Sequence, residues 1–175
     1  MYCEFDILLA RTMGNKVILY IRNFIFGAED SLVSTVGLLA GVASAGVGQR
    51  EIIVSGIVLI CVEAFSMSVG SFLSERAVEE SLSNYRPQKS SSLPAAVIMF
   101  GSYLVSGLIP LFPYLVVTVD RAFWQSIVAS LLALFVLGFI SAKILNTKIL
   151  KSALRMTIIG GLAIGLGVVV GTVIK

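Results

Sequence analysis

The sequence predicts an all-α integral membrane protein with five transmembrane helices, a cytoplasmic N-terminus and an outward C-terminus. Three observations predict it. Hydrophobic residues make up 57% of the 175-residue chain and charged residues 13%, against about 25% charged in an ordinary soluble domain. With a mean hydropathy of +0.98, there is too little polar surface to solvate so much apolar mass. The apolar residues fall into five long runs, and the Lys and Arg residues gather at one end of them.

A bilayer core about 30 Å thick needs roughly 20 apolar residues in a helix, and each run meets that length. The spans are expected at 28–47, 52–73, 93–117, 123–142 and 153–174, the first entered by a helix beginning near Lys16. None shows the period-two alternation of a barrel strand. The connections are short and polar. The longest, 74–92, is rich in Ser, Arg and Glu, contains Pro87, and has room for a short helical extension to Tyr85. The chain is therefore read as a single membrane domain, with 74–92 a reduced cytoplasmic loop.

Orientation follows from the excess of Lys and Arg on the cytoplasmic side of spans. One side carries Arg11, Lys16 and Arg22, then Arg76, Arg86 and Lys89, then Lys143, Lys148, Lys151 and Arg155; the other has only Arg50, Arg121 and Lys175. The first residues do not read as a cleaved signal, because Glu4, Asp6, Arg11 and Lys16 interrupt their apolar stretch. Cys3 and Cys61 make no disulfide framework, and Cys61, in mid-span, reads as a small buried apolar residue. The net charge of +3 is no nucleic-acid signal.

Acidic residues inside spans carry the functional reading. A charged side chain at the centre of a spanning helix costs on the order of 3 kcal/mol on insertion scales, so Glu63 must face protein or water. Asp30, with Glu29 beside it, lies nearer the interface. Met67 is one turn from Glu63 and shares its face, together with Gly56 and Gly70. On the first span Asp30, Ser34, Gly37, Gly41 and Ser44 form a similar stripe of small and polar residues. Two such stripes can meet and leave a polar seam of carboxylates and a thioether. Carboxylates bind many divalent cations, whereas a thioether favours softer transition metals over magnesium or calcium. Either residue also has a structural reading, Met67 as core filler and Glu63 as an interhelix hydrogen bond.

Gly37-x-x-x-Gly41, Gly161-x-x-x-Gly165 and Gly167-x-x-x-Gly171 permit close helix approach or dimerisation. Pro110 and Pro113 should kink or break the third span near its outer end. The chain has no His, which removes Ser-His proteases, His-ligated haem and most zinc enzymes. No phosphate-binding Gly-x-x-x-x-Gly-Lys-[Ser/Thr] loop is present. No enzyme activity and no bound cofactor are expected.

At the two stripes the sequence resembles a known family. Arg22-Asn-Phe-Ile-Phe-Gly-Ala-Glu-Asp-Ser-Leu-Val-Ser-Thr35, followed by Gly37-Leu-Leu-Ala-Gly41, is similar to the opening of the vacuolar iron transporter family. So are Glu63-Ala-Phe-Ser-Met-Ser-Val-Gly-Ser-Phe-Leu-Ser74, Gly107-Leu-Ile-Pro-Leu-Phe-Pro-Tyr-Leu115 and Arg155-Met-Thr-Ile-Ile-Gly-Gly-Leu-Ala163 to its second, third and last spans. The resemblance implies a five-span homodimer that moves Fe(II), often Mn(II), out of the cytosol in exchange for protons, along a path at the dimer interface between first and second spans. It carries over Asp30 and Met67 as path residues; Glu63 is added on the burial argument above.

The chain also departs from the family pattern, with Asn23 for Asp, Glu29 for Asn, Ser31 for Gly and Ser71 for a frequent Glu. Many relatives insert a Glu-rich metal-binding domain where this chain has only 74–92, and Glu75, Glu79 and Glu80 stand there as its possible remnants. Glu75 and Glu79, one turn apart, are placed to touch one ion or to form a solvated helix end. Glu29 and Ser34 are further accessory contacts.

Three functions accommodate these residues: a proton-coupled Fe(II)/Mn(II) exporter, a small drug or organic-cation exporter built on Glu63, and a non-transporting membrane scaffold or regulatory subunit. The expected partners are the metal ion, the lipid bilayer and a second copy of the chain. The expected location is a prokaryotic cytoplasmic membrane, or the vacuolar membrane in a eukaryote.

Overall fold

The computed structural model of the chain describes residues 15–83 and 91–174. Cys3, Arg11, Arg86, Lys89, Lys175 and the last two residues of the expected helical extension to Tyr85 lie outside the described residues. Five helices follow one another: α1 Asn15–Ser44, α2 Gln49–Ser83, α3 Ser92–Val116, α4 Val119–Ile144 and α5 Ile149–Ile174. All five are long and apolar enough to cross a membrane. The protein is an integral, multi-pass membrane protein.

The helices overrun the apolar stretches that announce them. α1 begins at Asn15, well before the 28–47 run, and α2 continues past Leu73 to Ser83. Nothing in either extension breaks a helix. Neither holds a Pro, and residues 74–83 are rich in Ser, Glu, Arg and Ala, which fit a solvated helix. Of the kink or break expected at Pro110 and Pro113, the break does not occur: α3 runs through both prolines to Val116. The prolines cannot donate to the carbonyls one turn back, but both are buried, and Ser126 of α4 donates to the Pro110 carbonyl at 2.7 Å. That bond ties α3 to α4; the carbonyls the prolines leave without an in-helix donor are those of Ser106 and Ile109.

α1 is the central helix and packs on each of the other four. Its buried residues enter three separate clusters: Leu39 with Ile52, Ile60, Leu111 and Tyr114; Ala28 and Leu32 with Leu134, Leu137 and Met156; Val36 and Ala40 with Ile164. Lipid tails are as apolar as these side chains, so close packing rather than the hydrophobic effect holds such helices together. The glycines show this most directly. A Cβ on Gly41 would sit 2.7 Å from the Gly167 carbonyl oxygen, and Cβ atoms on Gly167 and Gly171 would meet the carbonyl oxygens of Gly37 and Gly41. Two of the three Gly-x-x-x-Gly motifs therefore engage each other, across α1 and α5. The third, Gly161 and Gly165, looks into open space.

This pairing corrects one expectation. Gly37 and Gly41 do not face α2 as part of a continuous small-residue stripe; α5 covers that part of α1, and only the stripe's Asp30 and Ser34 end is left for α2. Cys61 differs too, being exposed on the outer face of α2. That face is apolar and uncovered, with Val54, Val58, Val62, Phe65 and Leu73 all exposed.

Candidate functional site

Three contacts fix how α2 lies along α1. Ser34 Oγ donates to Glu63 Oε2 at 3.0 Å, Ser71 Oγ donates to Asn23 Oδ1 at 3.0 Å, and the Arg22 guanidinium pairs with Glu75 Oε1 at 2.6 Å. The order is antiparallel. Asp30 stands one turn before Ser34, and Met67 one turn after Glu63, so the register places Asp30 level with Met67. Glu63 and Met67 fall on a stripe of α2 that is neither buried nor fully exposed, and Asp30 and Ser34 are likewise half-buried. The seam is thus open along one side.

Around Glu63 the geometry is specific. Tyr103 of α3, fully buried, donates its hydroxyl to Glu63 Oε2. Ser34 Oγ also lies 2.6 Å from the Tyr103 hydroxyl. Three helices thus converge on one carboxylate oxygen. Glu63 Oε1 and the Asp30 carboxylate accept no hydrogen bond among the described residues, although the two acids lie within electrostatic reach of each other. Free carboxylate oxygen, a second acid and a thioether one turn away form a seam able to receive a cation.

Tyr103 was not among the residues singled out from the sequence. Its signal was present: Ser102 and Tyr103 put two hydroxyls in the middle of an otherwise apolar span. The α1–α2 seam is stitched shut towards its other end. Asn23, almost wholly buried, donates to the Leu19 carbonyl while it accepts from Ser71. Arg22 and Glu75 close the mouth beyond it.

The structure does not bring the accessory acids together. Glu29 lies within electrostatic reach of Asp30 and, more weakly, of Arg155 on α5, and no hydrogen bond joins it to the seam among the described residues. Glu75 is taken up by Arg22, and Glu80 pairs with Arg76 one turn earlier at 3.1 Å. Glu79 accepts from the backbone amides of Ser91 and Ser92 at 2.5 and 3.2 Å. It caps the start of α3, where four backbone donors lack partners inside the helix. Among the described residues no three Cys, Asp or Glu side chains gather to hold a metal ion, so any metal site must be completed from beyond one copy of these residues or by other ligand types.

The sequence profile of the VIT family matches residues 21–93 and 78–172. The chain belongs to the VIT family. It is similar to vacuolar iron transporter 1 of Eucalyptus grandis, 23% identical over 203 aligned positions covering 82% of each chain. It is also 27% identical over 158 positions to vacuolar iron transporter homolog 4 of Arabidopsis thaliana, covering 84% of this chain and 80% of that one. A rice protein, vacuolar iron transporter 2, is 35% identical over 79 residues, 45% of this chain and 32% of its own.

The alignment lengths carry a structural message. An alignment of 203 positions that uses only 82% of a 175-residue chain must contain many positions without a counterpart here. The alignment of 158 positions using 84% needs few. The two pieces of the family match overlap over residues 78–93, across the end of α2 and the α2–α3 connection.

Proposed function

We propose that this VIT family member is a divalent transition-metal transporter that moves Fe(II) or Mn(II) out of the cytosol in exchange for protons, working as a homodimer. The observation that carries this reading is the antiparallel register that sets Asp30 level with Met67, one turn from the tethered Glu63. The similarity to proteins named vacuolar iron transporters makes iron the first cargo to test. Carboxylate oxygens with a thioether suit Fe(II) or Mn(II) better than magnesium or calcium. Tyr103 and Ser34 hold one Glu63 oxygen and leave the other for the ion, so the ligand is oriented before the ion arrives.

One protomer supplies Asp30, Glu63 and Met67, too few to surround a six-coordinate ion. A second copy packed against the open side of the seam would double the set. With the N-terminus cytoplasmic, Asn23–Ser71 and Arg22–Glu75 form the closure on the loading side. Protonation of the carboxylates on the far side cancels the charge that holds the ion and releases it, which couples metal to proton movement.

The test is flux into proteoliposomes, comparing Fe(II), Mn(II), Mg(II) and Ca(II) for wild type, Met67→Ala and Glu63→Gln. Uptake of Fe(II) or Mn(II) that both substitutions abolish, with internal pH changing in step, supports the exchanger. Movement of a lipophilic dye cation without metal flux would replace it with an organic-cation exporter. Folded protein that moves nothing would leave a scaffold, with the polar seam a helix contact.

A further inference from the structure

A cavity of about 770 Å³ lies along the first turns of α5, away from the α1–α2 seam. Its lining has two components. Lys148, Lys151 and Arg155, three and four residues apart, form one stripe of cations, and Leu154, Ile158 and Ile159 supply apolar lining that begins between them and runs about one turn beyond Arg155 along α5. All six side chains are exposed. Among the described residues none of the three cationic side chains forms a hydrogen bond or ion pair, and the first turn of α5 holds no acid. Glu29 of α1 lies within electrostatic reach of Arg155. Lys143, exposed in the last turn of α4, adds a fourth cation at the same end of the bundle. The α4–α5 connection reverses through Asn146 in the left-handed region, at φ 50°.

Cations that stand unpaired beside exposed apolar lining at the end of a spanning helix match one ligand in two halves. The cations lie at headgroup depth, where basic clusters attract anionic lipid, and Leu154, Ile158 and Ile159 lie where acyl chains run. A free anion would use the cations and leave the apolar lining bare. We propose that this cavity binds an acidic phospholipid, its phosphate held by Lys148, Lys151 and Arg155 and its acyl chains laid on Leu154, Ile158 and Ile159. The proposal is independent of any transported cargo.

Protein purified in a neutral detergent is titrated with phosphatidylglycerol, phosphatidylcholine or inorganic phosphate, with retained lipid counted by native mass spectrometry and thermal unfolding followed alongside. Wild type is expected to retain phosphatidylglycerol at least tenfold more tightly than phosphatidylcholine and to unfold at higher temperature with it. Lys148→Gln/Lys151→Gln, which leaves Arg155 and its Glu29 neighbour intact, is expected to lose most of that preference, and the triple variant with Arg155→Gln all of it. Arg50→Gln/Arg121→Gln removes two cations at the other end of the bundle and is expected to keep it. Equal retention of both lipids, an unchanged preference in the double variant, or the same loss in the Arg50/Arg121 control would overturn the proposal. So would stabilisation by inorganic phosphate matching that by phosphatidylglycerol, since the site would then read a free anion.

Discussion

Ser34 of α1 and Glu63 of α2 meet through a 3.0 Å hydrogen bond in the middle of the bundle. This contact sets the level of every other polar group in the seam. Ser71 to Asn23 and Arg22 to Glu75 continue the same antiparallel register along the two helices. Tyr103 braces it from α3.

Tyr103→Phe keeps the ring that fills the core and removes only the hydroxyl. The loss of a partner that orients a metal ligand costs roughly 10–100-fold in affinity or activity. Metal uptake by Tyr103→Phe is therefore expected to fall by at least tenfold while the protein remains folded. Uptake equal to wild type in proteoliposomes would show that Glu63 needs no tether.

Gly171→Ala places a methyl group against the Gly41 carbonyl oxygen. Both partners are backbone, so the helices themselves must move apart. Overpacking of this kind costs about 1–3 kcal/mol, and thermal unfolding in detergent should show it. Gly161→Ala, which meets nothing within 4 Å, is expected to leave stability unchanged. Equal effects at both positions would refute the α1–α5 glycine contact.

Glu79→Ala separates a capping role from a metal role. Removal of a helix cap costs about 1 kcal/mol, so the variant should unfold more easily. Because Glu79 is already engaged by the Ser91 and Ser92 amides, metal uptake measured under conditions where the variant is folded should match wild type. A specific fall in uptake with stability intact would return Glu79 to the list of metal contacts.

The five helices were legible because each apolar run alone reaches the length of a bilayer, a local property. The polar stripe on α2 was legible for the same reason: a one-turn spacing puts Glu63 and Met67 on one face whatever else the chain does. Partners were not. The Gly-x-x-x-Gly spacings showed that helices can approach closely, but only the fold says that Gly37 and Gly41 meet Gly167 and Gly171. Tyr103 and the capping role of Glu79 are contacts between residues far apart in the chain, with no spacing to betray them. The prolines of α3 leave the carbonyls of Ser106 and Ile109 without an in-helix donor, yet the helix continues to Val116; the rule reads one helix alone, whereas α3 is packed on α1, α2 and α4.

The outer face of α2 offers a direct test of the homodimer. Val54, Val58, Cys61 and Phe65 follow one another at helical spacing and all are exposed, on the side of α2 turned away from the Glu63–Met67 stripe, so a scan of this face reads the dimer contact itself. A disulfide forms only when two Cα atoms come within about 7 Å, so oxidation reads the interface by distance. In a Cys3→Ala background Cys61 is the sole thiol; moving that thiol singly to positions 54, 58 and 65, with Cys61→Ala, scans the face. Oxidation in membranes is expected to yield a cross-linked dimer from at least one of these positions. Val128→Cys, on the equally exposed outer face of α4, is expected to stay monomeric. Cross-linking at 128 with none on α2 would place the partner on α4, and the seam would then have to carry its ion with Asp30, Glu63 and Met67 of one protomer alone.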